Sequence, residues 1–214
     1  MSSTHRKRAE RKTPAERRTE IAAAARSLAL GEGLSAVTLR AVAARAGVTP
    51  ALVAHYQPSM DALIAETFDA IVAVEIEEVG ALVAERRTPP ERLAVLVGTL
   101  LDGSREDVTV VWVEAWALGR RNESLAASVR HRMDAWQSVI VGIIDDGVES
   151  GDFGPVDAAA AAWQLLGMID GLNAQALVRW DGAGERDTLT TRSVEGLLGL
   201  RPGALAPYVV GGAG

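Results

Sequence analysis

Residues 43–56 constrain this chain more than any other stretch. Apolar positions Leu39, Val42, Ala43 and Ala46 recur at helical spacing, stop at Gly47, and are followed by Thr49-Pro50. Threonine is a good N-cap because its hydroxyl accepts from a free N–H of the first turn. Proline is tolerated one position later, where a missing N–H costs nothing. Gly47 supplies the left-handed residue that a tight inter-helix turn needs, and Ala43, four positions earlier, is small enough for two helices to approach closely. Val42, Ala46, Val48, Val53 and Tyr56 are the apolar residues that would fix the crossing. The spacing predicts a helix-turn-helix, with helices over about 38–45 and 49–56. An ordinary helical hairpin inside a core would share these features but would cover its tip.

Similar punctuation runs along the rest of the chain. Thr13, Pro14 and Glu16 start a helix whose apolar stripe is Ile21, Ala24, Ala25, Leu28 and Ala29, and Gly31 and Gly33 end it. Pro58 closes the helix over 49–56, and Ser59 can cap a long helix over about 60–86. Further helices are expected at 90–103, 106–119, 123–149, 157–179 and 186–198, separated by Gly103-Ser104, Arg121-Asn122, residues 151–155 and residues 181–184. Period-two alternation is absent, so no strand is expected. The expected fold is all-α with about nine helices. A three-helix N-terminal bundle over 14–58, which contains the helix-turn-helix, follows a basic arm over 1–13. A larger C-terminal helical domain covers 59–200, and a flexible tail covers 201–214.

Charge is unevenly divided. Residues 1–57 hold ten basic and four acidic side chains, a net of +6, whereas 58–214 hold twelve and twenty-four, a net of −12. A basic module on an acidic body points to one part that meets a polyanion, although seven of those ten basic residues lie in the first 20 and a solubilising tail would look alike. There is no cysteine, and His5, His55 and His131 are too scattered for a zinc site, so no metal and no cofactor are expected. The longest apolar stretch, residues 158–169, is 12 residues and too short to cross a bilayer, and no signal-peptide pattern opens the chain. A cytoplasmic protein with no membrane partner is expected.

If 49–56 is the second helix of the pair, its first residues enter a major groove. Thr49, Ala51 and Leu52 then face base edges, and the apolar side chains meet thymine methyls. His55 and Tyr56 sit where their polar tips reach phosphates. Thr38 opens the preceding helix with a hydroxyl and free N–H groups suited to a phosphate, and Arg40 and Arg45 add positive charge.

Residues 18–68 resemble the DNA-binding domain of TetR-type transcriptional regulators. The resemblance rests on the block Ala46-Gly47-Val48-Thr49-Pro50 followed by His55-Tyr56, with Arg18, Ile21, Leu28, Gly33, Thr38, Ser59 and Leu63 around it. It implies that 14–58 is the DNA-binding domain and 59–200 the effector-binding and dimerisation domain of a homodimer on double-stranded DNA at a palindromic operator, acting as a repressor released by a small-molecule effector. The chain departs from the family at Ala54 and Gln57, where aromatics are usual, and at Met60, where a phosphate-contacting lysine is common. The basic arm from Arg6 to Arg18 can offset the lost cation.

The aromatic residues of the acidic part fall at helical spacings. Trp112 and Trp116 are four apart, Met133 and Trp136 three apart, and Trp163 leads to Leu166, Asp170 and Asn173. Aromatic walls with a few polar groups are the usual make-up of a small-molecule pocket, and a packed core is the plainer explanation of the same stripes. Glu114 is another candidate carboxylate beside Asp170, and two carboxylates with aromatic rings would suit a cationic or hydrogen-bonding effector. Ala158 and the four alanines after it allow close helix approach, as in a dimer interface shared with 186–198. A helical enzyme and a non-DNA interaction module are the alternatives. The first lacks a nucleophile elbow, a phosphate loop or a metal-spaced cluster; Asp145-Asp146 has no partner set.

Overall fold

A computed structural model describes residues 12–179 and 186–205. The basic arm before residue 12, the break at 181–184 and the tail beyond 205 lie outside the described residues. Within them every regular element is helical. The α-helices are α1 (Pro14–Glu32), α2 (Leu39–Arg45), α3 (Pro50–Tyr56), α4 (Met60–Ala84), α5 (Pro89–Leu101), α6 (Glu106–Gly119), α7 (Glu123–Ser150), α8 (Ala158–Leu177) and α9 (Arg186–Leu197). A single 3-10 turn (Leu34–Ala36), which the sequence did not announce, joins α1 to α2.

The helix starts follow from side-chain chemistry. Thr13 and Thr88 form reciprocal capping boxes with Glu16 and Glu91, and Thr38, Thr49, Ser59, Asn122 and Asp157 each accept a first-turn N–H. Each satisfies a donor that the helix itself leaves open. Gly151 ends α7 in the left-handed region at φ 78°.

Packing does not respect the boundary expected between residues 58 and 59. Ile21, Leu28, Val42 and Val53 of the first three helices share one core with Leu63 and Phe68 of α4, Val111 and Ala115 of α6, and Leu125 and Val129 of α7. A second core joins Val79 of α4, Leu93 of α5, Ile140 and Ile144 of α7, Leu165 of α8 and Val194 of α9. The N-terminal bundle is too small to bury its own apolar faces, so the body completes its core. Helix α4 runs through both cores, and Arg132 of α7 grips it with two hydrogen bonds to Asp69, at 2.7 and 2.6 Å.

Residues 203–205, expected to lie in a flexible tail, are held against the body. Leu205 is buried, and the buried carboxylate of Glu195 accepts the N–H groups of Gly203 and Leu205, both at 2.8 Å. A buried charge needs donors, and this segment supplies them.

Candidate DNA-reading helix and ligand cavity

The turn between α2 and α3 has the geometry its residues dictate. Gly47 sits at φ 66°, a region that costs a side-chain-bearing residue energy. The N–H of Val48 donates to Ala43 O at 2.9 Å, closing the turn over a buried Ala43. Val42 and Val53 are fully buried, and Tyr56 packs half-buried against the same core. Arg18 of α1 lies 5.9 Å from the Tyr56 ring centroid and His55 meets that ring edge-on, so the end of α3 is braced from two sides.

The tip is uncovered. Thr38, Arg40, Thr49, Ala51 and His55 are exposed and Leu52 half-exposed. The hydroxyls of Thr38 and Thr49 are already acceptors, from Ala41 and Leu52 N–H, which leaves each hydroxyl proton free to donate outward. Arg45 differs from the expectation. Its guanidinium turns back to α1, donating to Ser27 Oγ at 2.7 Å and Glu32 Oε1 at 2.9 Å.

Six of the seven cavity candidates gather around one hollow. Trp112 and Trp116 of α6, Met133 and Trp136 of α7, and Asp170 and Asn173 of α8 line about 620 Å³ of empty space, part of it open to solvent. Trp163 does not join them. It is 68% exposed on the outer face of α8, because the stripe that reaches the interior is Ala158, Ala162, Leu165 and Ile169, shifted around the helix from Trp163. Glu114 also points elsewhere, to Ser35 of the 3-10 turn.

Glu75 is the residue that sequence reasoning missed. It sits on α4, is 6% exposed, lines the cavity, and accepts from Trp112 Nε1 at 3.1 Å. A signal existed. In the series Phe68, Val72, Glu75, Val79 it is a carboxylate on the buried face of an amphipathic helix. Burial pushes its carboxyl up, while the indoles of Trp112 and Trp136 and the positive charge of Arg105 pull it partly back. Asp170 is pushed up to about 6, first by burial and then by the facing charge of Glu75. Asn173 is spoken for, since its amide donates to Leu100 O at 2.9 Å and ties α8 to α5.

Glu75 and Asp170 line one partly buried space together with Arg105, and three indoles border it. Ionised carboxylates and ring faces both attract cations, and the Arg105 guanidinium in the same lining opposes them. Among the described residues no three metal-ligating side chains converge.

Comparisons with known proteins agree with this layout. Residues 89–199 match the model of the BetI-type transcriptional repressor C-terminal domain, and residues 21–67 that of the bacterial regulatory proteins of the tetR family. A curated relative, the HTH-type transcriptional regulator BetI of Brucella anthropi, is 28% identical over 119 residues, which is 55% of this chain and 61% of that protein. The match thus spans under two thirds of the relative's length. A transcriptional regulator from Saccharomonospora viridis, solved in complex with choline, superimposes with a TM-score of 0.73 at 23% identity, covering 85% of this chain and 96% of that one. A TetR transcription regulator from Haloarcula marismortui gives 0.72 at 22% identity, with 86% and 97% covered.

Proposed function

The chain belongs to the TetR family of regulatory proteins, with a C-terminal domain of the BetI type, and from that premise we propose that it is a dimeric repressor of transcription whose DNA binding is released by a small organic cation. The observation that carries the cation is the meeting of Glu75 and Asp170 with Trp112, Trp116 and Trp136 in one cavity. A quaternary ammonium such as choline fits that chemistry, and the choline complex of the Saccharomonospora viridis regulator supports the choice. The cavity binds rather than reacts: its ionisable groups are two carboxylates and Arg105, with no nucleophile–base pair.

Thr49, Ala51 and Leu52 read base edges, while Thr38, Arg40, His55 and Tyr56 hold phosphates. A second copy docks through α8 and α9, where Trp163 and Leu189 are 68% and 54% exposed beside the exposed small residues Ala160, Gly167 and Gly171. Two reading heads must stand roughly 34–36 Å apart to meet successive major grooves. A ligand between α6, α7 and α8 presses on Glu75 of α4, which also carries the reading head, and shifts the population away from that spacing. A protein that works on the chromosome is placed in the cytoplasm; no helix among the described residues is long and apolar enough to cross a membrane.

The test is binding to duplexes cut from the DNA flanking the gene, with competitor and a salt series, followed by calorimetry with choline, a neutral isostere and small anions. Specific binding that survives competitor, weakens steeply with salt and is relieved by choline supports the proposal. Binding of anions alone rejects the cationic effector, and binding to no duplex rejects the repressor.

A further inference from the structure

Glu114 of α6 holds the 3-10 turn that leads into the helix-turn-helix. Its Oε2 accepts the Ser35 N–H at 2.8 Å and its Oε1 the Ser35 hydroxyl at 3.0 Å. The backbone is shaped around this contact. Gly33 takes φ 88°, and a Cβ there would stand 2.7 Å from both carboxylate oxygens, so a side chain at this position would displace the carboxylate from Ser35. The turn passes directly into the reading pair: the N–H of Thr38 donates to Ala36 O at 2.8 Å, and Thr38 caps α2. Leu34 of the same turn is fully buried in the core that contains Val111 and Ala115 of α6.

Helix α6 therefore has two working faces. Trp112 and Trp116 line the cavity. Glu114 lies midway between them in sequence, and two residues of a helix turn through about 200°, which puts it on the opposite side. A displacement of α6 by cavity filling is carried to Ser35 by a charge-assisted pair of hydrogen bonds rather than by apolar contact that can slide.

We propose that Glu114 is the positioning residue that fastens α6 to the turn ahead of the reading helices, so that cavity occupancy is transmitted to the DNA-binding pair and DNA engagement is transmitted back. This rests on the repressor reading above, and coupling between two sites is reciprocal, so it can be read from either end.

The experiment uses the full-length protein with a palindromic duplex and, separately, choline. The first arm follows hydrogen exchange of the α6 amides around residues 112–116 with and without DNA, and needs no effector. In the wild type DNA changes their protection. In Glu114→Ala that change is lost while duplex affinity stays within about threefold. The second arm compares duplex Kd with and without saturating choline: a shift of roughly 5- to 150-fold in the wild type falls below about twofold in Glu114→Ala, with choline's own Kd unchanged. Ser35→Ala keeps the N–H bond and retains most of the coupling, and Glu114→Gln, which can serve one of the two donors, falls between. These two variants decide the matter if Glu114→Ala folds poorly. Wild-type α6 amides indifferent to DNA, or full coupling in Glu114→Ala, overturn the proposal. A wild type that answers DNA but not choline leaves the fastening in place and removes choline as effector.

Discussion

Trp112 and Glu75 are joined across α6 and α4 by an indole-to-carboxylate hydrogen bond of 3.1 Å. The bond does two things. It gives a buried carboxylate a donor, and it sets the plane of the ring that also meets Phe68 edge-on at 5.0 Å.

Replacing Trp112 by Phe keeps an apolar ring and removes the donor. Glu75 then stays buried with one partner fewer, so stability at neutral pH falls by about 1–3 kcal/mol. The loss shrinks as pH falls, because burial raises the Glu75 carboxyl and its protonated form needs the indole less. Urea denaturation over a descending pH series checks this; a loss that does not change with pH would mean that lost packing, not the hydrogen bond, is responsible.

Asp170 makes cation binding and stability run in opposite directions with pH. Its carboxyl ionises at about 6 in the folded chain, above the ordinary value of 3.8. Between those values the folded state holds more protons than the unfolded one, so the group's contribution to stability declines as pH rises through that window and is at its lowest above about 6. A bound cation needs the ionised form, so affinity for choline climbs over the same window and levels off above it. Calorimetric titration across pH measures the affinity and urea denaturation over the same range the stability, with Asp170→Asn as control; the variant flattens the part of each profile that Asp170 supplies.

Gly33 and Gly47 separate backbone strain from steric conflict. Both have positive φ, 88° and 66°, but nothing lies within 4 Å of a Cβ at Gly47, whereas the Glu114 carboxylate meets one at Gly33. Gly47→Ala costs the conformational penalty, about 1–2 kcal/mol. Gly33→Ala costs more, and adding Glu114→Ala recovers the steric part. Thermal unfolding of the two single variants and the double variant gives the comparison; strict additivity would contradict it.

Arg132 and Arg130 are two residues apart on α7, and only one matters for stability. Arg132 is 18% exposed and makes two bonds to Asp69 of α4, while the Arg130–Glu123 pair is 62% and 83% exposed. Arg132→Ala lowers stability by about 1–3 kcal/mol, moderated by the partial exposure of Asp69. Arg130→Ala stays within about 0.5 kcal/mol. Chemical denaturation of each resolves the difference.

Trp163 tests the assembly. Replacing it by Glu puts a charge on the exposed face of α8 and leaves the interior untouched, so the helical circular dichroism is unchanged while self-association weakens at least about tenfold, equivalent to 1.4 kcal/mol. Sedimentation velocity reads the result. An unaltered dimer would place the interface on another face.

The sequence by itself determined the helices, their ends and the reading turn. Thr13, Thr49, Thr88 and Asn122 cap the helices they precede, and Gly47 turns where its neighbours require, because these effects act over three or four residues and need nothing from the rest of the chain. Tertiary structure decided which side of each helix is inside. Trp112 and Trp163 both lie at helical spacing among apolar residues, yet one lines the cavity and the other faces outward. Of Glu75, Glu77 and Glu78, spacing from Phe68 and Val72 puts the first on the apolar face of α4, but which distant helices cover that face, and that Trp112 meets the carboxylate there, follows only from packing. Glu114, a surface carboxylate by its neighbours, finds its two donors 79 residues away. Helix ends are local hydrogen-bond problems, whereas burial and charge pairing depend on which distant helix covers a face, and that is set only when all the helices pack together.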